Sequence, residues 1–225
     1  LVANLVMLCL GGGFFAMWFF LTLYMQNVLG WSPLRAGLAF LPMALAIIAG
    51  AQTASRLLPR VGTRPLLILG PALSAAALLW LSRVTVDGTF LGNLLGPGVL
   101  GPFGIGLSFT AIASAATSGV PRHQAGLASG LLNTTRQVGG SIGLAALATI
   151  ATSHTAVLLR AAAPEPAALT AGYARAFLTS SAILFAAAAA GFLVPAARAA
   201  VPAPAEQGAE PSDQEAARPE AAVER

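Results

Sequence analysis

Six runs of apolar residues, each close to the length needed to cross a bilayer, leave this chain few ways to fold. A membrane-spanning helix takes about 20 mostly apolar residues, and such runs fall at 2–25, 36–54, 66–82, 90–117, 125–151 and 173–195. The third is short, and the fourth and fifth are long enough to tilt or break. Only 9% of the 225 residues are charged and 56% are hydrophobic, with a mean hydropathy of +0.77. A soluble domain carries about a quarter charged residues. A chain this poor in charge cannot cover its folded surface with water-compatible groups, so its solvent is lipid. The expected fold is all-α and integral to the membrane, with six transmembrane helices. Two three-helix units of opposite topology follow if the halves are inverted repeats, because an odd number of spans reverses the second unit.

The net charge of +4 conceals a split. Residues 1–200 hold ten Arg and two acids, Asp87 and Glu165, whereas residues 201–225 hold two Arg and six acids; Lys is absent. The Arg side chains mostly sit between apolar runs, as membrane-flanking loops require. A nucleic-acid surface would need clustered bases on a soluble fold, so no nucleic-acid partner is expected. Cys9 lies alone in an apolar run and excludes a disulfide within the chain. The chain opens on Leu1 with no basic leader before the first run. That reads as a cut through a longer protein and not as a signal peptide.

Turn chemistry separates the runs. Gly30 can close the first helix, and Ser32-Pro33 reads as N-cap and first-turn proline of the second. Residues 56–65, with Pro59 and three Arg, read as a compact basic turn, and Asp87-Gly88 marks the next. Pro121-Arg122-His123 links the fourth and fifth runs, and a longer Ala/Pro loop links the fifth and sixth. Residues 1–195 are thus expected to form one transmembrane domain. Residues 196–225, rich in Ala, Pro and Glu, have no apolar face and are expected to be a disordered tail. One side of the membrane collects Arg56, Arg60, Arg64, Arg122 and Arg198; the other collects Arg35, Arg83 and Arg160, with Arg175 just inside the sixth run. The bias of basic loops places the first side and the tail in the cytoplasm of a multi-pass plasma-membrane protein.

The fifth run carries the most informative pattern. At about 100° per residue, Gly126, Gly130, Asn133, Gln137, Gly140 and Ser141 share a stripe, and Leu127, Leu131, Val138 and Ile142 lie opposite. Lipid takes the apolar side, because an amide in hydrocarbon without a partner is costly. The polar stripe then faces protein or a watery cavity. Its amides either glue neighbouring helices or line a pathway, and its glycines permit close helix approach. Arg136 lies eleven residues into this run, about 16 Å along the axis, near the middle of the bilayer. An Arg there needs a counter-charge or water and marks a functional site by default, the alternative being a structural clamp. No acid occurs within any of the six runs, so a carboxylate partner must come from elsewhere.

The first run places Asn4, Gly11, Phe15, Trp18, Thr22 and Gln26 on one face, with Leu10, Met17, Phe20 and Leu21 elsewhere. An aromatic face with amides suits an amphipathic ligand; ordinary packing with an interfacial aromatic belt is the other reading. In the fourth run Pro97 and Pro102 stand among glycines. Each removes an amide donor and crowds the preceding turn, which predicts a kinked or locally unwound helix of the kind transporters use.

Two catalytic signals fail. Gly139-Gly140-Ser141-Ile142-Gly143 matches the G-x-S-x-G pattern, but that pattern needs a strand-to-helix elbow and a nearby base. Here it sits within a helix, and His154 is about 20 Å onward. The two His and one Cys are too scattered for a metal site, and Gly11-Gly12-Gly13 follows no strand, so no cofactor is expected.

Three stretches carry a family resemblance. Residues 24–37, from Tyr24-Met25-Gln26-Asn27 through Gly30-Trp31-Ser32-Pro33 to Ala36-Gly37, followed by Leu41-Pro42, resemble the Y-x-Q-x-x-x-G-x-S-P-x-x-A-G…L-P run of major facilitator superfamily drug:proton antiporters. Residues 126–140, with Asn133, Arg136, Gln137, Gly139 and Gly140, resemble the G-x-A-S-G…N-x-x-R-Q-x-G-G helix of the same branch. Arg60, Gly62 and Arg64 resemble the superfamily's cytoplasmic D-R-x-G-R-R signature, but Pro59 stands where the acid should be. The resemblance covers nearly all of residues 1–195. It implies the C-terminal half of a two-half helical bundle and proton-coupled export of small amphipathic or cationic compounds by alternating access. Its implied partners are the bilayer, a small-molecule substrate, protons and a missing N-terminal half bearing the proton-coupling carboxylates. A non-transporting membrane sensor or assembly subunit is the other reading of the same six spans.

Overall fold

The computed structural model describes residues 2–117, 121 and 124–193. Leu1, Arg122, His123, Arg198 and the tail 196–225 lie outside the described residues. Six helical spans are present, at Asn4–Val28, Pro33–Val61, Thr63–Leu81, Phe90–Ala116, Ala125–Arg160 and Glu165–Ala190, with no strand among the described residues. Their length and apolar composition make this an all-α integral membrane fold.

Helix α1, Val2–Leu23, widens into a π-helical turn over Tyr24–Val28, and Gly30 ends it at φ 64°. The second span is two helices: α2, Pro33–Ala39, and α3, Leu41–Val61. Ser32 caps α2, its hydroxyl accepting from the Arg35 amide at 3.3 Å. The break at Phe40 precedes Pro42, which has no N–H to bond back across it. Helix α4 spans Thr63–Leu81 and α5 spans Leu95–Thr117 after a π-helical turn at Phe90–Leu94. Helices α6, Ala125–Arg160, and α7, Glu165–Ala190, complete the bundle, with a short 3₁₀ turn at Gly191–Leu193.

Several boundaries differ from the sequence reading. The basic turn expected over 56–65 shrinks to Gly62, because α3 continues through Pro59 and Arg60 and only Gly62 leaves helical geometry, at φ 77°. The fifth helix runs on from 151 to Arg160, and the sixth begins at Glu165 instead of 173 and ends near 190. The expected long loop is four residues, Ala161–Pro164. The Ala/Pro composition had marked this stretch as a loop, but Pro166 stands in the first turn of α7, where its missing N–H costs no helical bond. Thr149, Thr152 and Thr170 bond to carbonyls four residues back, at 2.9, 2.8 and 2.7 Å, a back-bond that hides a hydroxyl within a helix. Helix α5 is continuous through Pro102, and Pro97 falls in its first turn, where a missing donor costs little. The local widening lies just before, at Phe90–Leu94.

The main helix pairs are α1 with α6 and α7, α5 with α3 and α4, and α4 with α7, and α6 also packs on α7. Exchanging the first three spans for the last three carries α1–α6 onto α5–α3 and α1–α7 onto α5–α4, and returns α4–α7 to itself. Apart from α6–α7, whose counterpart α3–α4 touches only slightly, that is the contact pattern of two inverted three-helix units. Two crossings in it are equivalent, and both are glycine-lined. A Cβ on Gly11 would strike the Arg136 carbonyl, and one on Gly139 the Leu8 carbonyl. Likewise a Cβ on Gly50 would strike the Phe103 carbonyl, and one on Gly106 the Ile47 carbonyl. Small residues let these backbones touch, which stabilises helix pairs in lipid through dispersion. The core between them is apolar, with Leu10, Leu21, Leu67, Leu78 and Phe177 fully buried. Buried serines join the inner helices: Ser74 donates to the Gly101 carbonyl at 2.9 Å and Ser181 to that of Ala75 at 2.7 Å.

Candidate functional site

Burial divides the helices sharply. In their most apolar stretches the second span is 22% buried and α6 17%, against between 44% and 56% for the other four. These two elements therefore flank an open side of the bundle. On α6 the exposed residues include Leu127, Leu131, Val138 and Ile142, as expected of a lipid face, but also Asn133, Gln137 and Ser141. No hydrocarbon satisfies those amides, so this second open face meets water or further protein.

Arg136 is half-buried at the root of that face. Its guanidinium donates to Asn133 Oδ1 at 2.7 Å and lies 5.8 Å from the centre of the Phe109 ring of α5. The first contact orients the fork; the second is a cation–π attraction. From Phe109 an aromatic chain continues through Phe14, at 6.1 Å between ring centres, to Trp18 at 5.8 Å. Trp18 stacks on Phe40, at the break between α2 and α3, with centres 4.5 Å apart. The Trp18 Nε1–H is buried and has no acceptor among the described residues. The Asn133 amide, the Arg136 guanidinium and four aromatic rings thus form one chain of contacts drawn from α1, α5, α6 and the α2–α3 break.

The structure gathers some of the sequence candidates and separates others. Asn133, Arg136, Gln137 and Trp18 share the open side. Thr22 is half-buried one turn beyond Trp18, but its hydroxyl is used on the Trp18 carbonyl at 2.7 Å. Gln26 lies half-buried in the π-helical turn that ends α1. Gly11 and Phe15, expected on the aromatic face, turn instead toward α6, where Phe15 packs on Gly140. Gly140 therefore permits close packing as expected. Gly126 and Gly130 do not among the described residues, where a Cβ at either would meet nothing within 4 Å. A Cβ on Gly11 of α1 meets α6 at Arg136 and Gly140, and Gly130 lies about 9 Å short of Arg136 along the helix. The close approach belongs to Gly139, Gly140 and Gly143. Arg136 is also displaced from mid-span: with α6 running to Arg160, it lies about 10 Å before the helix midpoint.

Away from this face, Arg60 is exposed in the last turn of α3, and Gly62 makes the turn into α4. Arg64 donates to the Phe192 carbonyl at 2.9 Å, a cation at the C-terminal end of α7, where carbonyls lack helical partners. Ser141 of the G-x-S-x-G match lies within α6 and donates to the Gln137 carbonyl at 3.0 Å, so its hydroxyl is held by its own helix. Phe14, Phe40 and Phe109 were missed as site residues. The i, i+4 spacing of Phe14 and Trp18 was a usable signal, but no local pattern ties Phe40 or Phe109 to Arg136.

Comparison with known proteins fits this geometry. The family model of the Major Facilitator Superfamily matches residues 2–144. A cephamycin export protein of Amycolatopsis lactamdurans is 44% identical over 176 residues, covering 78% of this chain and 35% of the relative. A puromycin resistance protein of Streptomyces alboniger is 38% identical over 163 residues, covering 71% and 32%. A tetracenomycin C resistance and export protein of Streptomyces glaucescens is 35% identical over 141 residues, covering 60% and 25%. The matched region spans about a third or less of the length of these curated relatives. With six membrane spans in an inverted-repeat contact pattern and a family match over most of its length, the chain belongs to the Major Facilitator Superfamily.

Proposed function

We propose that this chain is the C-terminal half of a proton-coupled secondary transporter that exports small amphipathic or cationic compounds from the cell by alternating access. The observation that carries the reading is the open polar face of α6, set against an aromatic wall and left uncovered by the other described residues. In lipid such a face is stable only against water or protein, and a substrate pathway between two halves supplies both. Asn133 and Gln137 would offer neutral hydrogen bonds, Trp18 aromatic bulk, and Gln26 an amide farther along α1. Thr22, with its hydroxyl engaged, would contribute shape. Arg136 supplies fixed positive charge for a carboxylate of the N-terminal half to answer, and protons would move through acids in that half. The role is transport and not catalysis. The protein would sit in the plasma membrane, with Arg60, Gly62, Arg64 and the 196–225 tail on the cytoplasmic side.

The test is substrate transport in proteoliposomes under an imposed pH gradient. The full-length transporter should respond to the gradient, and residues 1–225 alone should not. Arg136→Ala should lower the rate at least tenfold while the protein still inserts and purifies. Arg136→Lys should recover part of it, because charge returns without the planar five-donor fork. Gradient-driven transport by the isolated chain, or a silent Arg136→Ala, would overturn the reading.

A further inference from the structure

We infer that the groove between α6 and α7, lined by Ser153, His154 and Arg175, holds the phosphate headgroup of a membrane lipid. The groove is about 400 Å³ and is walled by Thr149, Ile150, Ser153, His154 and Val157 of α6 and by Arg175 of α7. Its place on α6 fixes what it faces. Thr149 continues the stripe of Leu131, Val138 and Ile142, within about 20° at 100° per residue. Ser153 and Val157 follow Asn133 and Gln137 by twenty residues, which turns them about 160° away from the polar face. The groove therefore opens toward lipid and not toward the pathway. The lipid-facing stripe, apolar through Ile142, becomes polar over the last turns of the helix.

Charge accounting gives the ligand its sign. Arg175 lies ten residues into α7, about 15 Å from its start. The only carboxylates among the described residues are Asp87 and Glu165, and neither lines the groove. A cation on an apolar span needs an anion or water. Side chains tilt toward the N-terminus of their helix, so the Arg175 stem leans toward the α6–α7 turn and can carry its head to the headgroup level. His154, six residues before the end of α6, lies about 9 Å in, nearer that level than the Arg175 backbone. Thr149 spends its hydroxyl proton on the Ala145 carbonyl, which leaves the guanidinium, the imidazole N–H and the Ser153 hydroxyl as donors. A guanidinium fork with a second donor beside it suits a phosphate, and Ile150 and Val157 offer apolar wall for the glycerol and upper acyl chain. The inference needs only the membrane fold and does not depend on the transport reading.

Native mass spectrometry of the delipidated full-length protein in detergent tests it, with phosphatidylglycerol, diacylglycerol and inorganic phosphate added in turn. Phosphatidylglycerol should bind, diacylglycerol should not, and inorganic phosphate should compete only weakly. Arg175→Gln should weaken phosphatidylglycerol binding about tenfold and His154→Gln about threefold, whereas Arg160→Gln, outside the groove, should change nothing. If Arg175→Gln does not fold, the His154→Gln result decides. Unchanged lipid binding in the groove variants, or equal binding of diacylglycerol, overturns the assignment. So does an Arg175→Gln protein that loses thermal stability with its lipid count intact, which would mean that a protein carboxylate fills the groove.

Discussion

Helices α3 and α6 occupy equivalent places in the two inverted units, and they have been built differently. Each crosses the central helix of the other unit through glycine: α3 meets α5 at Gly50 and Gly106, and α6 meets α1 at Gly139, Gly140 and Gly11. Each is largely exposed on its outer sides. Beside the α6 crossing stand Asn133, Arg136 and Gln137, whereas beside the α3 crossing stand Leu45, Ala46, Ile47 and Ile48. Leu45 is 66% exposed and Ile48 58%, with no polar group between them. The fold thus requires the glycine contact twice and the guanidinium only once. The polar group beside α6 is therefore not part of what the two crossings share.

The largest effects should come from the feature the two helices share. Gly139→Leu and Gly50→Leu each drive a side chain into a facing carbonyl, and neither backbone can yield without opening its crossing. Overpacking of this kind costs about 1–3 kcal/mol or more, so both variants should lose most of their monodisperse yield on size-exclusion chromatography. A tolerated Gly50→Leu beside a ruined Gly139→Leu would break the equivalence. Smaller effects should come where the helices differ. Gln137→Ala should shift substrate preference several-fold at unchanged expression, and Leu45→Ala should leave transport as it is. If Gln137→Ala is silent, the amide is packing glue. The smallest effect should follow Gly126→Ala and Gly130→Ala. Neither Cβ meets anything within 4 Å among the described residues, and alanine favours a helix over glycine by about 1 kcal/mol. Thermal stability of the isolated domain should therefore rise slightly or hold.

The spans were legible because lipid imposes a single requirement, a long apolar run, and residues 2–25 and 90–117 meet it with little ambiguity. The ends of α6 and α7 were not, since a hydropathy pattern counts Thr152 and Thr155 as polar while the folded helix hides their hydroxyls. Thr152 bonds to Ala148 and Thr155 to Ala168, on α7. That a polar stripe marks α6 could be read from its period. Which glycines on it touch α1 could not, because that depends on how far one helix is shifted along another. The same limit hid Phe40 and Phe109. They reach Trp18 and Arg136 only through the packing of α1 between the α2–α3 break and α5.

Solvent access along α6 separates a pathway from a packing surface most directly. In a Cys9→Ser background of the full-length transporter, single cysteines at Asn133 and Gln137 would be compared with cysteines at Leu131, Val138 and, on α3, Leu45. A membrane-impermeant thiol reagent should modify positions 133 and 137, transported substrate should slow that modification, and the other three positions should stay unmodified. Positions 133 and 137 that resist the reagent, or that react at a rate substrate does not alter, would contradict a substrate pathway along the polar face of α6.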